Sequence, residues 1–425
     1  MHDYVIVGAG SAGCVLANRL TEDGNITVLL LEAGAADKSK EIHIPIAFSK
    51  LFKTEYDWAY YTEKQPYLNH RQFYWPRGKV LGGCSSINAM IYMRGHPLNY
   101  DHWQDLGNEG WSFSQVLHYF KKAENQKRGA SEYHGHNGLL NVADLRCINP
   151  ISHAFVAAGV EAGLARNNDF NGLQQDGVGY FQVTQKKGQR HSTAAAYLKP
   201  ILHRSNLTVQ THTQVTRLLF EGTRVVGLAY LHNGETHQIK VRKEVILSGG
   251  SINSPQLLML SGIGAAEHLN SLGIPLVMDL PGVGQNLQDH LAVPILYKCK
   301  QPVSLENAKT TTNLLKYLLF KQGPFTSSVA EAGAFIKTQD SLPIPNIQLL
   351  FAPAYFINHG FTQPEGHGFT VGPTLLYPNS KGTITLRSSN PLDAPVIHPN
   401  YLANEDDLYV LTEGVKLARQ IAQMS

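Results

Sequence analysis

Four residues near the start of the chain could hold a dinucleotide. Gly8, Gly10 and Gly13 stand in the spacing GxGxxG, and Glu32 lies 19 residues beyond Gly13. In that pattern the first glycine permits a tight turn and the second lets the backbone approach a pyrophosphate. The third lets a helix pack close against a strand. N–H groups at the start of that helix, together with its partial positive charge, suit phosphates. An acid at the position of Glu32 accepts from both ribose hydroxyls and disfavours a 2′-phosphate, which argues against NADP.

These residues work only if the chain places them on the right elements. Asp3 to Leu20 reads as strand, tight turn and helix, and Ile26 to Leu31 reads as a second strand ending at Glu32. The complete βαβ unit is therefore present, and by itself it suits NAD as well as FAD. A second glycine-rich stretch follows at Gly82 and Gly83, with Ser85, Ser86 and Asn88 just beyond. Backbone donors in such a turn suit an anion or a planar ring. A third, at Gly249 and Gly250, reads as strand, glycine turn and helix. There Ser254 is the expected N-cap, Pro255 the first helical residue and Gly262 the C-terminal stop. The chain thus returns to the nucleotide-binding sheet 241 residues after leaving Gly8.

Between these blocks, Ala33 to Arg77 has few periodic elements and many aromatics, as a lid or binding loop would. Trp103 to Ala123 has helical spacing, broken early by Gly107 and Gly110. Its tail, Lys121 to Arg128, reads as a solvated face. Pro150 to Ala165 reads as a helix. His134 and His136 fall in a glycine-rich stretch that reads as a surface loop. Asn206 to Val241 reads as an antiparallel meander inserted in the α/β chain, with turns at Gly222 and Gly234. From about Leu291 strands and prolines dominate, as in a second lobe.

Composition sets outer bounds. A chain of 425 residues is long enough for two or three domains or one two-lobed enzyme. A net charge of +3 without blocks of like charge gives no footprint for nucleic acid. The four cysteines form no CxxC, and no histidine–carboxylate cluster has metal-ligand spacing, so no metal site is expected. Apolar runs such as Leu314 to Phe320 are too short for a transmembrane segment. Scattered thiols and a first strand at the very start of the sequence set the expectation of a cytoplasmic protein.

Three separated blocks, GAGSAG with LLLEAG, RGKVLGGCSSINAMIYMRG and GGSINSPQLLMLSGIG, together resemble the glucose–methanol–choline (GMC) family of FAD-dependent oxidoreductases, and most of all its choline-dehydrogenase-like members. PGVGQNLQDH is a fourth matching segment. The resemblance implies an α/β fold with α+β insertions: a Rossmann-like FAD-binding domain and a discontinuous substrate domain built on an antiparallel sheet. Residues 1–95 and 201–290 would form the FAD-binding domain. Residues 96–200 would supply lid and substrate-domain helices, and 291–425 the substrate-binding domain with the C-terminal region incomplete. By position, Gly8, Gly10, Ser11, Ala12 and Gly13 would hold the FAD pyrophosphate. Glu32, with Ala33 beside it, would hold the adenosine ribose, and Val215 would touch the adenine through its backbone. Gly82, Gly83, Ser85, Asn88, Ala89 and Met90 would line the flavin, with Trp58 close to it. Some members bond flavin covalently through a histidine before that asparagine. Ile87 stands there, so non-covalent FAD is expected.

The implied chemistry is oxidation of a small-molecule alcohol by hydride transfer to flavin N5, with a base removing the hydroxyl proton. The electron acceptor, whether quinone, dye or oxygen, is left open. The family's catalytic histidine, and its histidine or asparagine partner, follow a helix resembling Asp406 to Ile421. Both are expected beyond Ser425, so that this polypeptide alone would be truncated, inactive and prone to expose apolar surface. Choline-specific members carry a glutamate just after the Asp-His of the fourth block. Leu291 and Ala292 stand there, which favours a neutral primary alcohol. The algal fatty-acid photodecarboxylase has a cysteine in the segment corresponding to Thr374–Asn379. That segment lacks one here, so a light-driven lyase ranks below an alcohol dehydrogenase. A non-catalytic flavin-binding protein is the remaining alternative.

Overall fold

The computed structural model describes residues 1–424. Its first layer is a six-stranded sheet in the spatial order Leu207–Gln210, Val28–Leu31, His2–Val7, Glu235–Leu247, Arg224–His232, Thr213–Glu221. The pairs among the first four strands are parallel, and the last two joins are antiparallel. Alternate side chains sort to opposite faces, as strand geometry requires. Ile6, Val28 and Leu30 pack with helix Ser11–Leu20 and the turn Ala194–Leu198. Val5, Leu29 and Leu31 pack with Leu218, Leu228 and Leu257. All four residues of Val28–Leu31 are buried, as in a strand covered on both faces.

The meander is not a separate insertion. The sequence separates Ile239–Val241 from Lys243–Leu247, yet they form one 13-residue strand, Glu235–Leu247. Its first part pairs with Arg224–His232 and its last part with His2–Val7. One strand can serve two ladders because it has two edges, so the meander and the nucleotide sheet become one surface.

The second layer is a five-stranded antiparallel sheet, ordered Ile295–Lys298, Gly368–Leu375, Ile347–Ala352, Ala332–Ile336, Gly177–Tyr180. Helices Pro150–Glu161 and Glu405–Ile421 pack on it through Phe155, Val156, Ala418 and Ile421. Gly177–Tyr180 reaches this sheet from a distant part of the chain, so the layer closes only when both halves are present. Helix Thr311–Phe320 buries Tyr317 and exposes Leu315, Leu318, Leu319 and Phe320.

Three local expectations are corrected. Trp103 to Ala123 is two helices, Pro97–Asp105 and Phe113–Ala123. Gly107 and Gly110 between them adopt φ of +96° and +88°, which ends the first helix. The helix expected from Pro255 begins earlier, at Gly250, with Pro255 inside it. Proline so close to a helix start forfeits only one backbone hydrogen bond, and a further turn forms ahead of it. The stretch from Lys121 to His136 is solvated only in part: Lys122, Lys127, Arg128 and His136 are exposed, but Glu124 and His134 are not. Glu124, Gln126 and His134 are buried: strand Glu124–Gln126 pairs with Leu140–Asp144 and carries the first two inward, and His134 packs against Glu124 from the turn that follows.

Burial of charge is tolerated there because every charge is answered. Arg94 Nη2 donates to Glu124 Oε2 at 2.7 Å. His134 lies 2.9 Å from Glu124 Oε1 through Nδ1 and 2.8 Å from Asp169 Oδ2 through Nε2. Burial opposes the His134 charge, but its hydrogen bonds to Asp169 and Glu124 outweigh that and hold its pKa up at about 9. Two cations and two carboxylates therefore form a neutral cluster, buried except for Asp169, whose side chain is a third exposed.

Candidate functional site

Two glycine turns lie side by side at the C-terminal ends of two central strands of the six-stranded sheet. One follows His2–Val7 and the other follows Glu235–Leu247, the strand paired with it. At Gly8 (φ +98°) a Cβ would lie 2.6 Å from the Ser248 carbonyl oxygen, so the two turns touch through backbone alone. At Gly13 a Cβ would lie 1.9 Å from the Gly8 carbonyl oxygen, which is the close helix–strand packing the spacing predicts. At Gly10 a Cβ would meet nothing nearer than 3.9 Å, so this side of the turn is open.

The opening is the mouth of a cavity of about 500 Å³. Its walls bring together Gly8, Gly10, Ser11, Ala12, Glu32, Ala33, Trp58, Gly83 and Val215. Gly13 and Gly82 are buried behind the wall, the first against Gly8 and the second against the Ser85 and Ser86 side chains. Ser85, Asn88, Ala89 and Met90 lie outside the lining. Asn88 is exposed, while Met90 is packed against Leu145 and Val183. The residues read from sequence thus divide into a group along the cavity and a group on the loop that leaves it.

The two helices that begin at the cavity differ from others in the molecule. Helices starting at Pro97, Pro150, Thr311 and Glu405 are capped by the side chains of His96, Asn149, Thr310 and Asn404. Ser11–Leu20 and Gly250–Leu260 have no side-chain cap and no acid in the first turn. Their leading N–H groups have no intrahelical acceptor and point their partial charge at the cavity. That is the donor set a pyrophosphate needs.

Glu32 stands at the end of Val28–Leu31 and is 5% exposed. Oε2 accepts from the Ala9 N–H and Oε1 from the Gly34 N–H, each at 2.9 Å. Burial pushes its pKa up to about 7 in spite of those two bonds. A carboxylate offers about four acceptor sites. Two are used here, and the remainder can take ribose hydroxyls. Trp58 is stacked on Tyr60 at 5.7 Å and lies beneath the Lys79 ammonium at 4.5 Å. Tyr60 in turn accepts from Asn253 Nδ2 at 2.6 Å, which ties the aromatic wall to the second glycine turn.

Several lining residues were missed by the sequence reading. Ser248 to Ser254, Arg77, Gly78, Cys84, Gln214 and Pro391 all line the cavity. The strand–glycine–helix pattern at Gly249 signalled a return to the sheet. Only the parallel pairing of its strand with His2–Val7 puts it beside Gly10. No histidine among the described residues lines the cavity, and none of its walls holds a set of metal-ligating groups.

The comparisons with known proteins agree with this geometry. The GMC oxidoreductase profile matches residues 2–292, and the family's C-terminal profile matches 378–425. The chain belongs to the GMC oxidoreductase family. Over 99% of this GMC chain, it is 46% identical to an alcohol dehydrogenase [acceptor] of Pseudomonas putida, covering 78% of that protein. Over the same share it is 48% identical to the mitochondrial choline dehydrogenase of Homo sapiens, covering 73% of it. Among solved structures, pyridoxine 4-oxidase from Mesorbium loti superposes with a TM-score of 0.91 at 31% identity, over all of this chain and 81% of that one. A formate oxidase gives 0.92 at 27%, over 99% and 80%.

The fold is accordingly the mixed α/β fold of this family, and its cofactor is FAD. The uncapped helix starts, the open side of Gly10 and the acceptor sites left on Glu32 fit the ADP half of that group. No helix among the described residues is long and apolar enough to cross a membrane.

Proposed function

We propose that this GMC oxidoreductase oxidises the CH–OH group of a small alcohol to an aldehyde or ketone, with non-covalent FAD as the immediate acceptor. One observation carries the reading: two uncapped helix starts and Glu32 share one cavity in a chain of this family. FAD supplies a two-electron, hydride-accepting ring at flavin N5. The chain's own residues bind and orient it. The N–H groups at Gly10, Ser11 and Ala12 hold the pyrophosphate, with Gly8 and Gly13 shaping the turn. Glu32 and Ala33 hold the ribose and the Val215 backbone meets the adenine. Gly82, Gly83, Ser85, Asn88, Ala89, Met90 and Trp58 surround the ring. Residues 1–95 and 201–290 act as the FAD-binding domain, and 96–200 and 291–425 as lid and substrate domain.

Ile87 is buried against Phe48 and Val80 and offers no nucleophile, which supports a non-covalent cofactor. Acid precipitation tests this, with all yellow colour expected in the supernatant. Flavin retained in the pellet would overturn it. Leu291 and Ala292 give no carboxylate for a quaternary ammonium, so a neutral primary alcohol is the preferred substrate over choline. Its electrons pass on to a quinone, dye or oxygen. Four unpaired cysteines support a cytoplasmic setting.

A second reading, FAD binding without turnover, is favoured by the cavity lining. Among the described residues its titratable groups are Cys84, Glu32 and Arg77, and none is a histidine. Anaerobic mixing with primary alcohols and with choline separates the readings. Bleaching by a neutral primary alcohol at an ordinary enzymatic rate is expected of the oxidoreductase reading, and the preferred alcohol would name the substrate class. FAD uptake with no bleaching by any alcohol would overturn that reading in favour of the second.

A further inference from the structure

Arg190 is a buried cation that no anion answers. It is 3% exposed, and among the described residues no carboxylate pairs with it. Burial alone acts on its charge and lowers its pKa to about 9. Nε donates to the Ile42 carbonyl at 2.7 Å. Nη1 donates to the Ser85 carbonyl at 3.1 Å and to Asn88 Oδ1 at 2.8 Å. Nη2 is buried with no partner at all. A buried guanidinium with an unsatisfied N–H and no counter-charge is costly, so its retention calls for a compensating role.

Its neighbours show what it holds. Asn88 Oδ1 also accepts from the Met90 N–H at 3.0 Å. Two donors on one atom fix which end of the carboxamide is oxygen, because an amide nitrogen cannot accept them. The amino end is left as a donor on an exposed residue. The adjoining Ser85 hydroxyl is clamped from the same segment, by Thr193 N–H at 3.0 Å and Thr193 Oγ1 at 2.9 Å. Segment 190–193 is therefore the floor of the loop running from Gly83, at the cavity wall, to Met90. Met90 itself is held at φ +61°.

We propose that Arg190 is a positioning residue for the flavin ring: it fixes Asn88 as an outward amide donor and supplies positive charge beneath the loop. The inference rests on the FAD reading of the site. When bound, FAD would take up two electrons and one hydrogen nucleus from the alcohol, and its reduced ring would carry one more negative charge than the oxidised ring. A cation in the loop floor favours that state over the oxidised one and raises the reduction potential.

Three variants of the full chain test this by FAD titration, dye-linked potentiometry and melting of the apoprotein. Arg190→Met is expected to bind FAD at least tenfold more weakly and to lower the midpoint potential of the bound flavin. Arg190→Lys, which keeps the charge but not the fork, is expected to keep the potential near wild type while losing affinity. Asn88→Asp gains an ion pair with Arg190 but loses the amide donor. It is expected to fold as well as wild type and still bind FAD tenfold more weakly. Wild-type potential and affinity in Arg190→Met would overturn the inference. Wild-type affinity in Asn88→Asp would overturn it even if Arg190→Met failed to fold. A wild-type chain that takes up no FAD would instead overturn the cofactor reading beneath it.

Discussion

Two regions of this chain bury charge in opposite ways. In the cluster of Arg94, Glu124, His134 and Asp169, each cation has a carboxylate within 3 Å. Around the cofactor cavity, helix starts lack caps, Glu32 titrates near 7 and Arg190 has no anion. The first region pairs each of its charges as folded and leaves only the Arg94 Nε–H of its hydrogen-bonding groups without a partner. The second is built with vacancies in its hydrogen bonding, and vacancies on this scale are what a polyanionic, hydroxyl-bearing ligand fills. The comparison separates residues kept for stability from residues kept for binding, although both sets are buried and polar.

The sharpest way to break the comparison is to remove an anion from the charge-paired region. Glu124→Ala leaves Arg94 and His134 facing each other without their shared carboxylate. We expect a loss of about 3–5 kcal/mol in urea unfolding, the range for one partner of a buried pair. A loss below 1 kcal/mol would mean the cluster is less coupled than its distances imply. Gly13→Ala comes next, since its Cβ would overlap the Gly8 carbonyl oxygen. Overpacking of that kind costs about 1–3 kcal/mol, and the displaced helix should take FAD binding with it.

A pH titration distinguishes the regions without mutation. The His134 pKa is raised to about 9 from an ordinary 6.5. Its contribution to stability is therefore complete below pH 6.5 and lost as pH rises through 9. Melting temperature should fall across that window, and His134→Gln should flatten the slope. An unchanged slope in the variant would assign the fall elsewhere. The smallest effect on stability is expected from Gly10→Ala. Its Cβ would make only ordinary contacts, 3.9 Å from the Ser248 carbonyl oxygen and 4.0 Å from Gly83 Cα, so stability should stay within about 0.5 kcal/mol. FAD affinity should nevertheless drop at least tenfold, because the added methyl occupies the pyrophosphate's side of the turn. Equal losses of stability and binding in this variant would erase the distinction between the two regions.

Much of the first βαβ unit was legible because its signals are local. Gly8, Gly13 and the alternation of Val5, Ile6, Leu29 and Leu30 each act within a few residues, where turn sterics and strand periodicity decide the outcome. The buried Glu124 and His134 were misread for the opposite reason. A run containing Lys121, Lys122, Lys127 and Arg128 is solvated by default. Only pairing with Leu140–Asp144 and approach of Arg94 and Asp169, 30 to 45 residues away, turn Glu124 of that run and the nearby His134 inward.

The sequence by itself determined the family, the FAD cofactor and the glycine turn that begins the cavity, because these depend on residue type and short spacing. Tertiary structure decided which donors stay unpaired. Pairing of Glu235–Leu247 beside His2–Val7 sets a second uncapped helix start against the first. Packing of segment 190–193 under the 85–90 loop leaves Arg190 without an anion. Whether a polar group is satisfied depends on what lies within 3 Å of it, and long-range contacts fix that distance.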